Sequence, residues 1–363
     1  MNILYIGQYT EGTTSKMRAD QLYQILKASP LKNKKVSFKI IDTHTPFHKC
    51  NRIWRSIGFR YKWGPLIKQI NKYIINQLNN SSTEQTNHSS FVSNHFYDLI
   101  WIDKAIFLTP KTTKYLKNRT DKLVHFTPDP AFTFHQSGHF NKSIYVYDFA
   151  ITTKSYELEL YKNFISKDQS IYVTQGFDKN SYRPLTPFKH KKAGVLFIGH
   201  QEKERENVLQ NLIDKQINVI LAGINWESFT RRNQDNQFLN YLGIGIYGDK
   251  YRELLSEYQF AWGSISKWIP ELHTTRTFEI PACGTALITE RNKETASFFN
   301  EDEAIFYNTI DEMIEKIMFY QHHSVELEQL TKKGTERVLA DGRDYESILR
   351  DILKQIGILS HDH

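Results

Sequence analysis

Short apolar runs recur along the chain, each followed by a polar loop and then by a stretch in which apolar residues return at helical spacing. Ile3 to Ile6 is the first run and ends at Gly7; beyond the loop Gln8 to Lys16, the spacing predicts a helix over Met17 to Ala28. Val36 to Asp42, Asp98 to Asp103 and Leu123 to Phe126 read as the next strands. Between the last two, Thr109-Pro110 opens a helix with a hydroxyl at the cap and proline in the first turn. Tyr147 to Thr152, a helix over Lys154 to Phe164 and a strand at Ile171 to Thr174 complete this half.

The alternation restarts at Gly194-Val-Leu-Phe-Ile-Gly-His200, with a helix over Glu202 to Lys215 and strands at Ile217 to Gly223, Phe260 to Ser264, Ala286 to Thr289 and Ala304 to Phe306. Helices are expected over Tyr251 to Tyr258, near Glu294 to Phe299 and from Thr309, and Val325 to Gly357 keeps a helical period broken at Gly342. Such alternation predicts an α/β protein with two parallel, doubly wound sheets that hold ligands at the carboxyl ends of their strands. The linker Leu185 to Lys192, with Pro187 inside it, divides the chain into domains over 1–184 and 185–342, followed by a helical segment over 343–363.

A length of 363 residues suits two cores of this size. No run of 18 apolar residues is present to span a membrane. Met-Asn-Ile-Leu-Tyr-Ile-Gly at the start has no basic leader and reads as a buried strand, and two cysteines, Cys50 and Cys283, suit a reducing cytoplasm. The net charge of +7 is unevenly spread. No acidic residue occurs from Thr43 to Thr83, where Lys49, Arg52, Arg55, Arg60, Lys62, Lys68 and Lys72 are interleaved with Trp54, Phe59, Tyr61 and Trp63. That mixture suits an anionic membrane surface, a polyanion or a nucleic acid; it equally suits a solvated face over a helix that buries its aromatics. Gln77 to His95, rich in Asn, Ser and Thr, reads as a mobile loop.

The candidate chemistry centres on Trp268 to Gly284. Glu271 and Glu279 flank the hydroxyl-rich turn Thr274-Thr275; a helix is expected over Arg276 to Ala282, kept short by Pro281 and ended by Gly284. A loop feeding a helix start, with carboxylates on either side, suits a diphosphate with hydroxyls at both ends. The plainer alternative is a pair of exposed helix glutamates. Arg205, near the start of its helix, suits a ligand anion or an ion pair with Glu202 or Glu206. Gly243-Ile-Gly-Ile-Tyr-Gly248 matches G-x-G-x-x-G by letter but lacks a preceding apolar strand. His125 and Asp129 fall at the end of a strand, Asp129 between two prolines, and the loop Thr10, Gly12, Thr13 with Arg18 follows the first strand. No D-x-D occurs, and His135 and His139 have no third ligand nearby, so no metal site is expected.

From Glu271 to Glu279 and on through Phe-Glu-Ile-Pro-Ala-Cys-Gly, the segment resembles the E-x7-E element of retaining GT-B glycosyltransferases, and most closely the spore-maturation CgeB-like group. The resemblance implies two Rossmann-like domains facing a central cleft, with the last helix crossing back to the first domain. It implies metal-independent transfer from a nucleotide-diphosphate sugar, the donor substrate, with no cofactor. Glu271 would then face the donor sugar and Glu279 the ribose; Arg205, Lys267 and Arg276 would neutralise the diphosphate beside Thr274 and Thr275, and Tyr247 would border the base. Thr10, Gly12, Thr13 and Arg18 would line the acceptor side, with Asp129 or His125 at the acceptor hydroxyl and serving as general base if the reaction inverts. The acceptor would be a glycan, a lipid-linked glycan or a protein, as in polysaccharide biosynthesis at the inner face of the membrane. Two other readings remain: a catalytically inactive nucleotide-sugar-binding or assembly protein, and a nucleic-acid-binding protein built on the basic stretch. Nucleic acid is not the expected partner, because Glu271 and Glu279 would have no role there.

Overall fold

The structure is a computed structural model that describes residues 1–29, 35–80, 96–133 and 135–360. The chain forms two compact units, Met1–Thr174 with Ile348–His363, and Gln175–Ser347. The division falls upstream of the linker at Leu185.

In the first unit, β1 (Asn2–Gly7), α1 (Thr14–Ala28) and β2 (Ser37–Asp42) are followed by three helices from the basic stretch: α2 (His44–Lys49), α3 (Arg52–Tyr61) and α4 (Pro65–Asn80). Residues 77–80 thus close α4, and 81–95 of the expected mobile loop lie outside the described residues. Next come β3 (Tyr97–Asp103), α5 (Pro110–Lys117), β4 (Thr120–Thr127), α6 (Gly138–Asn141), β5 (Phe149–Thr152), α7 (Leu158–Tyr161) and β6 (Ser170–Tyr172). Thr109 caps α5 as expected, accepting from the Thr112 N–H. The helix expected over Lys154 to Phe164 shrinks to α7 and one tighter turn, because the buried Glu157 carboxylate accepts the backbone N–H groups of Ala131 and Phe132 and so ties its own segment to another loop. The sheet is parallel, in the order β2-β1-β3-β4-β5-β6. Neighbours of β1 lie on both sides, so the crossover direction reverses between β1 and β3, which opens a crevice at their carboxyl ends.

The second unit contains β7 (Lys192–Ile198), α8 (Lys203–Asp214), β8 (Val219–Ala222), α9 (Glu227–Arg232), β9 (Leu239–Tyr241), α10 (Gly248–Glu257), β10 (Tyr258–Trp262), α11 (Arg276–Ala282), β11 (Ala286–Glu290), α12 (Thr295–Phe298), β12 (Ile305–Tyr307), α13 (Ile310–His322) and α14 (Ser324–Ala340). α15 (Tyr345–Gln355) leads back to the first unit, which claims the chain from Ile348. The order β12-β11-β10-β7-β8-β9, all parallel, is that of a Rossmann sheet with its switch between β7 and β10. α9 and β9 have no counterpart in the apolar pattern, since their segment is polar and the strand only three residues long. Among the described residues no helix is long and apolar enough to cross a membrane.

Candidate functional site

The switch point of the second unit is where β7 runs out into Gly199-His200 and β10 into Gly263-Ser264. Space there is tight: a Cβ on Gly223, at φ +140°, would lie 1.8 Å from the Gly199 carbonyl oxygen. Arg205, in the first turn of α8, is buried at this point. Its Nε donates to Ser264 Oγ at 3.1 Å and its Nη1 to the His200 carbonyl at 3.1 Å, and it pairs with Glu202 at 2.8 Å. Glu202, also buried, meets His200 Nε2 at 2.9 Å and accepts the Lys267 backbone N–H at 3.3 Å. The ion-pair alternative for Arg205 is therefore realised, but inside the crevice and not on the surface. Burial and the nearby Arg276 pull Arg205 below its ordinary value, against Glu202 and Glu271. Burial, with Arg205 and Arg276, likewise pulls down His200. Arg205, Arg276 and Glu271 thus share one electrostatic neighbourhood.

α11 forms over the expected residues, with Thr275 at its cap position and Pro281 inside it. Seven residues make a short stack of peptide dipoles, and the Thr275 side chain makes no cap hydrogen bond, so the side chains carry most of the local positive charge. Glu279 is 4% exposed, and Tyr251 Oη donates to its Oε2 at 3.0 Å. Burial raises its pKa against the opposing pull of Arg276 and of the Tyr251, Tyr182 and Thr275 hydroxyls. The loop before α11 is pinned by His273. The Gln175 N–H donates to His273 Nε2 at 2.9 Å and Nδ1 faces Glu294 Oε2 at 2.5 Å, which places the proton of the neutral ring on Nδ1. Glu271, Thr274, Thr275 and Arg276 stay partly accessible on this loop, and Thr274 Oγ1 has no hydrogen-bond partner among the described residues. Lys267 is half exposed, its Nζ paired with Glu290 at the end of β11. Tyr247 is 72% exposed in the loop after β9, where Gly243, Gly245 and Gly248 all take positive φ. That loop follows the edge strand, away from the switch, so the G-x-G-x-x-G letters do not form the fingerprint of a first Rossmann turn.

In the first unit a cavity of about 130 Å³ lies at the carboxyl ends of β1 and β3, lined among others by Thr13, Thr14, Ser15, Thr43, His44 and Lys104. Thr13 caps α1, accepting from the Lys16 N–H and donating to the Thr10 carbonyl, while Gly12 supplies a positive φ of 77°. Thr10 and Gly12 shape the loop without lining the cavity. Arg18 is a correction to the expected acceptor set. It is 1% exposed, bonded through Nε and Nη2 to Asp103 at 2.9 and 3.1 Å, and Tyr5 Oη donates to the same carboxylate. Its charge holds the sheet. His125 is a second correction: it is 2% exposed between the Phe140 and Tyr147 rings, and burial drives its pKa to about 3, so it is a neutral core residue and no general base. Asp129 does reach the strand ends. Lys104 Nζ lies 2.5 Å from it and His135 Nε2 at 4.0 Å; burial is outweighed, chiefly by the Lys104 charge, and the carboxyl is held below its ordinary value. Among the described residues no group of three or more His, Cys, Asp or Glu side chains could hold a metal ion.

Two parallel six-stranded Rossmann-like units in one chain define the GT-B fold class. Residues 203–354, from α8 to α15, match the family described as "Glycosyl transferase-like". Solved structures with the same fold include Anabaena HepE in complex with UDP and glucose, at 14% identity and a TM-score of 0.62 over 99% of this chain and 100% of that one. Sucrose-phosphate synthase from Thermosynechococcus elongatus aligns at 13% identity and a TM-score of 0.62, covering 98% and 99%. A UDP-N-acetylglucosamine 2-epimerase aligns at 8% identity and a TM-score of 0.58, covering 100% and 97%. No curated protein sequence matches the chain. His200, Ser264, Tyr182 and Tyr251 went unread around Arg205 and Glu279, because no motif marks them and folding brings them there, while Glu202 was read only as an ion-pair alternative for Arg205.

Proposed function

We propose that the chain transfers a sugar from a nucleotide-diphosphate sugar to an acceptor hydroxyl, with retention and without a metal ion, as a CgeB-like enzyme of glycan or polysaccharide synthesis. The observation that carries this reading is the buried Arg205, held by Ser264 and Glu202 at the switch point with the charges of Arg276 and Glu271 acting on it, inside the segment that matches the family. Burial and the neighbouring charge of Arg276 weaken the charged form of Arg205, and a diphosphate beside it relieves that cost and takes up the developing charge as it leaves. Arg205 and Arg276 neutralise the leaving group, with Lys267 joining once it gives up Glu290. Glu271 orients the donor sugar, Thr274 and Thr275 offer hydroxyls, Glu279 lies towards the ribose and Tyr247 stacks on the base. Asp129, kept ionised by Lys104, borders the acceptor hydroxyl. The HepE complexes hold UDP and UDP-glucose, which makes UDP-sugars the first donors to test.

Thermal shifts with UDP, UDP-glucose and UDP-N-acetylglucosamine, without added metal, test the donor site. A UDP-sugar raises the Tm of the wild type, and Arg276→Ala weakens its binding about tenfold or more, the loss expected for one charge-assisted bond. Arg276 serves better here than Glu279, whose truncation strands buried tyrosine hydroxyls. A new glycosidic bond with added acceptor separates transfer from rearrangement of the donor sugar, the reaction of the epimerases that share this fold. Binding without any new bond would mark an inactive nucleotide-sugar-binding protein, and no shift with any nucleotide would remove the reading.

The exposed flank of α3 supports a further part of this reading, attachment to an anionic bilayer. Ile53, Trp54, Tyr61 and Trp63 are 68%, 40%, 65% and 67% exposed.

A further inference from the structure

The basic stretch has a second face. α2, α3, the turn after α3 and the loop at His135 border an open hollow of about 590 Å³ in the first unit, lined by Arg52, Arg55, Arg60, Lys62, Phe59 and His135 among others. Among the described residues none of these four cations is ion-paired with a carboxylate. They are positioned by other means. The Arg55 guanidinium lies 5.6 Å from the centre of the Phe47 ring, and Lys62 Nζ lies 4.8 Å from that of Phe59 and 5.8 Å from that of Phe107. Lys62 also holds a left-handed backbone at φ +54°, fixed by its N–H to the Gly58 carbonyl and by His139 Nε2, 2.9 Å from the Lys62 carbonyl.

Phe59 and His135 line this hollow and the hydroxyl-rich cavity at the ends of β1 and β3 alike, so the two spaces adjoin. We propose that the basic hollow binds a phosphate or diphosphate carried by the acceptor, whose hydroxyl-bearing end enters the adjoining cavity. Four cations around one space call for more than the single charge of a carboxylate. A phosphate monoester carries about −1.5 to −2 near neutrality, and arginine forks match its oxygens. The proposal rests on the transferase reading, and its test keeps the two apart.

The protein is first saturated with UDP, so that the donor site is filled and its own thermal shift is recorded. Inorganic diphosphate is then titrated into the wild type, Arg52→Gln/Arg55→Gln, and a control, Lys68→Gln/Lys72→Gln, which removes two cations of α4 that do not line the hollow. The expected result is saturable binding that the arginine variant weakens about tenfold or more and the control leaves alone. Equal affinity in all three proteins, or no binding to the wild type at millimolar diphosphate, overturns the proposal. If UDP still binds in that case, the transferase reading stands and only the acceptor assignment falls; if UDP does not bind, the transferase reading fails separately. Glucose 1-phosphate, glucose and a polyprenyl-diphosphate sugar in detergent form a second arm. Preference for the lipid-linked compound over glucose 1-phosphate assigns the phosphate to a lipid carrier, the reverse assigns it to a soluble phosphorylated acceptor, and binding of glucose as tight as that of both counts against the proposal.

Discussion

His125 packs its imidazole against Phe140, ring centroids 4.3 Å apart, and burial lowers its pKa to about 3. Above the ordinary histidine range the ring is neutral in both folded and unfolded chains and contributes nothing to pH dependence. Below about pH 6.5 the unfolded chain takes up a proton that the folded one refuses until about pH 3, so stability falls as pH falls through that window, by up to about 1.4 kcal/mol per pH unit. Urea unfolding of the wild type and His125→Phe checks this. At pH 5, relative to pH 7.5, the variant should lose about 2 kcal/mol less than the wild type, with turnover of the donor unchanged. Parallel losses, or turnover falling about a hundredfold as for a missing general base, would restore His125 to the site. The reason the sequence misleads here is local. Buried parallel strands are covered on both faces, and β4 is buried continuously from Leu123 to Thr127, so alternation gives no sign of which side chains reach solvent. Arg18 misleads for the opposite reason, since its partner Asp103 lies 85 positions away.

At the scale of elements, boundaries set by local chemistry were legible and those set by tertiary contacts were not. Arg276–Ala282 could be read because Pro281 and Gly284, at φ +68°, end the helix from within its own sequence. The helix around Leu158 could not, because Glu157 answers to Ala131 and Phe132. The basic stretch could be read as charged and aromatic, but not as three helices with separate faces. In α3, Gly58 turns inward, where a Cβ would lie 2.6 Å from Leu66 Cβ, and leaves Ile53, Trp54 and Tyr61 outside. The Trp54 and Trp63 rings stand 6.5 Å apart. Aromatic rings suit the headgroup level of a bilayer, and each neighbouring cation adds about 1 kcal/mol at an anionic surface. The protein should therefore sediment with vesicles containing phosphatidylglycerol and not with phosphatidylcholine alone, and Trp54→Ser/Trp63→Ser should cut the bound fraction severalfold. Equal recovery in the supernatant from both vesicles would leave α3 a solvated face.

Over the whole molecule, the chain leaves the first unit after Thr174 and returns at Ile348, so each unit owes its completeness to a different part of the sequence. The outgoing and returning segments lie side by side, with Phe177 bridged to Asp344 and the Tyr345 N–H donating to the Phe177 carbonyl at 2.8 Å. Nothing in the amphipathic pattern of α15 says which of two cores receives it; only the resemblance to GT-B chains pointed to the first. Ile348, Leu349, Ile352, Leu353 and Ile356 are each no more than 8% exposed. At about 1.5–3 kcal/mol per buried apolar side chain, removing all five costs on the order of 10 kcal/mol, comparable to the whole stability of a domain. A chain ended after Ser347 should therefore lose the melting transition of its first unit in calorimetry. Arg205, Glu271 and Arg276 lie outside the deletion, so a second transition should persist and still rise with a UDP-sugar. An unchanged melt would mean that the returning helix adds little to the first unit. Loss of both transitions would mean that the second unit cannot stand without the first, so that donor binding and the integrity of the first unit are one property of the intact chain.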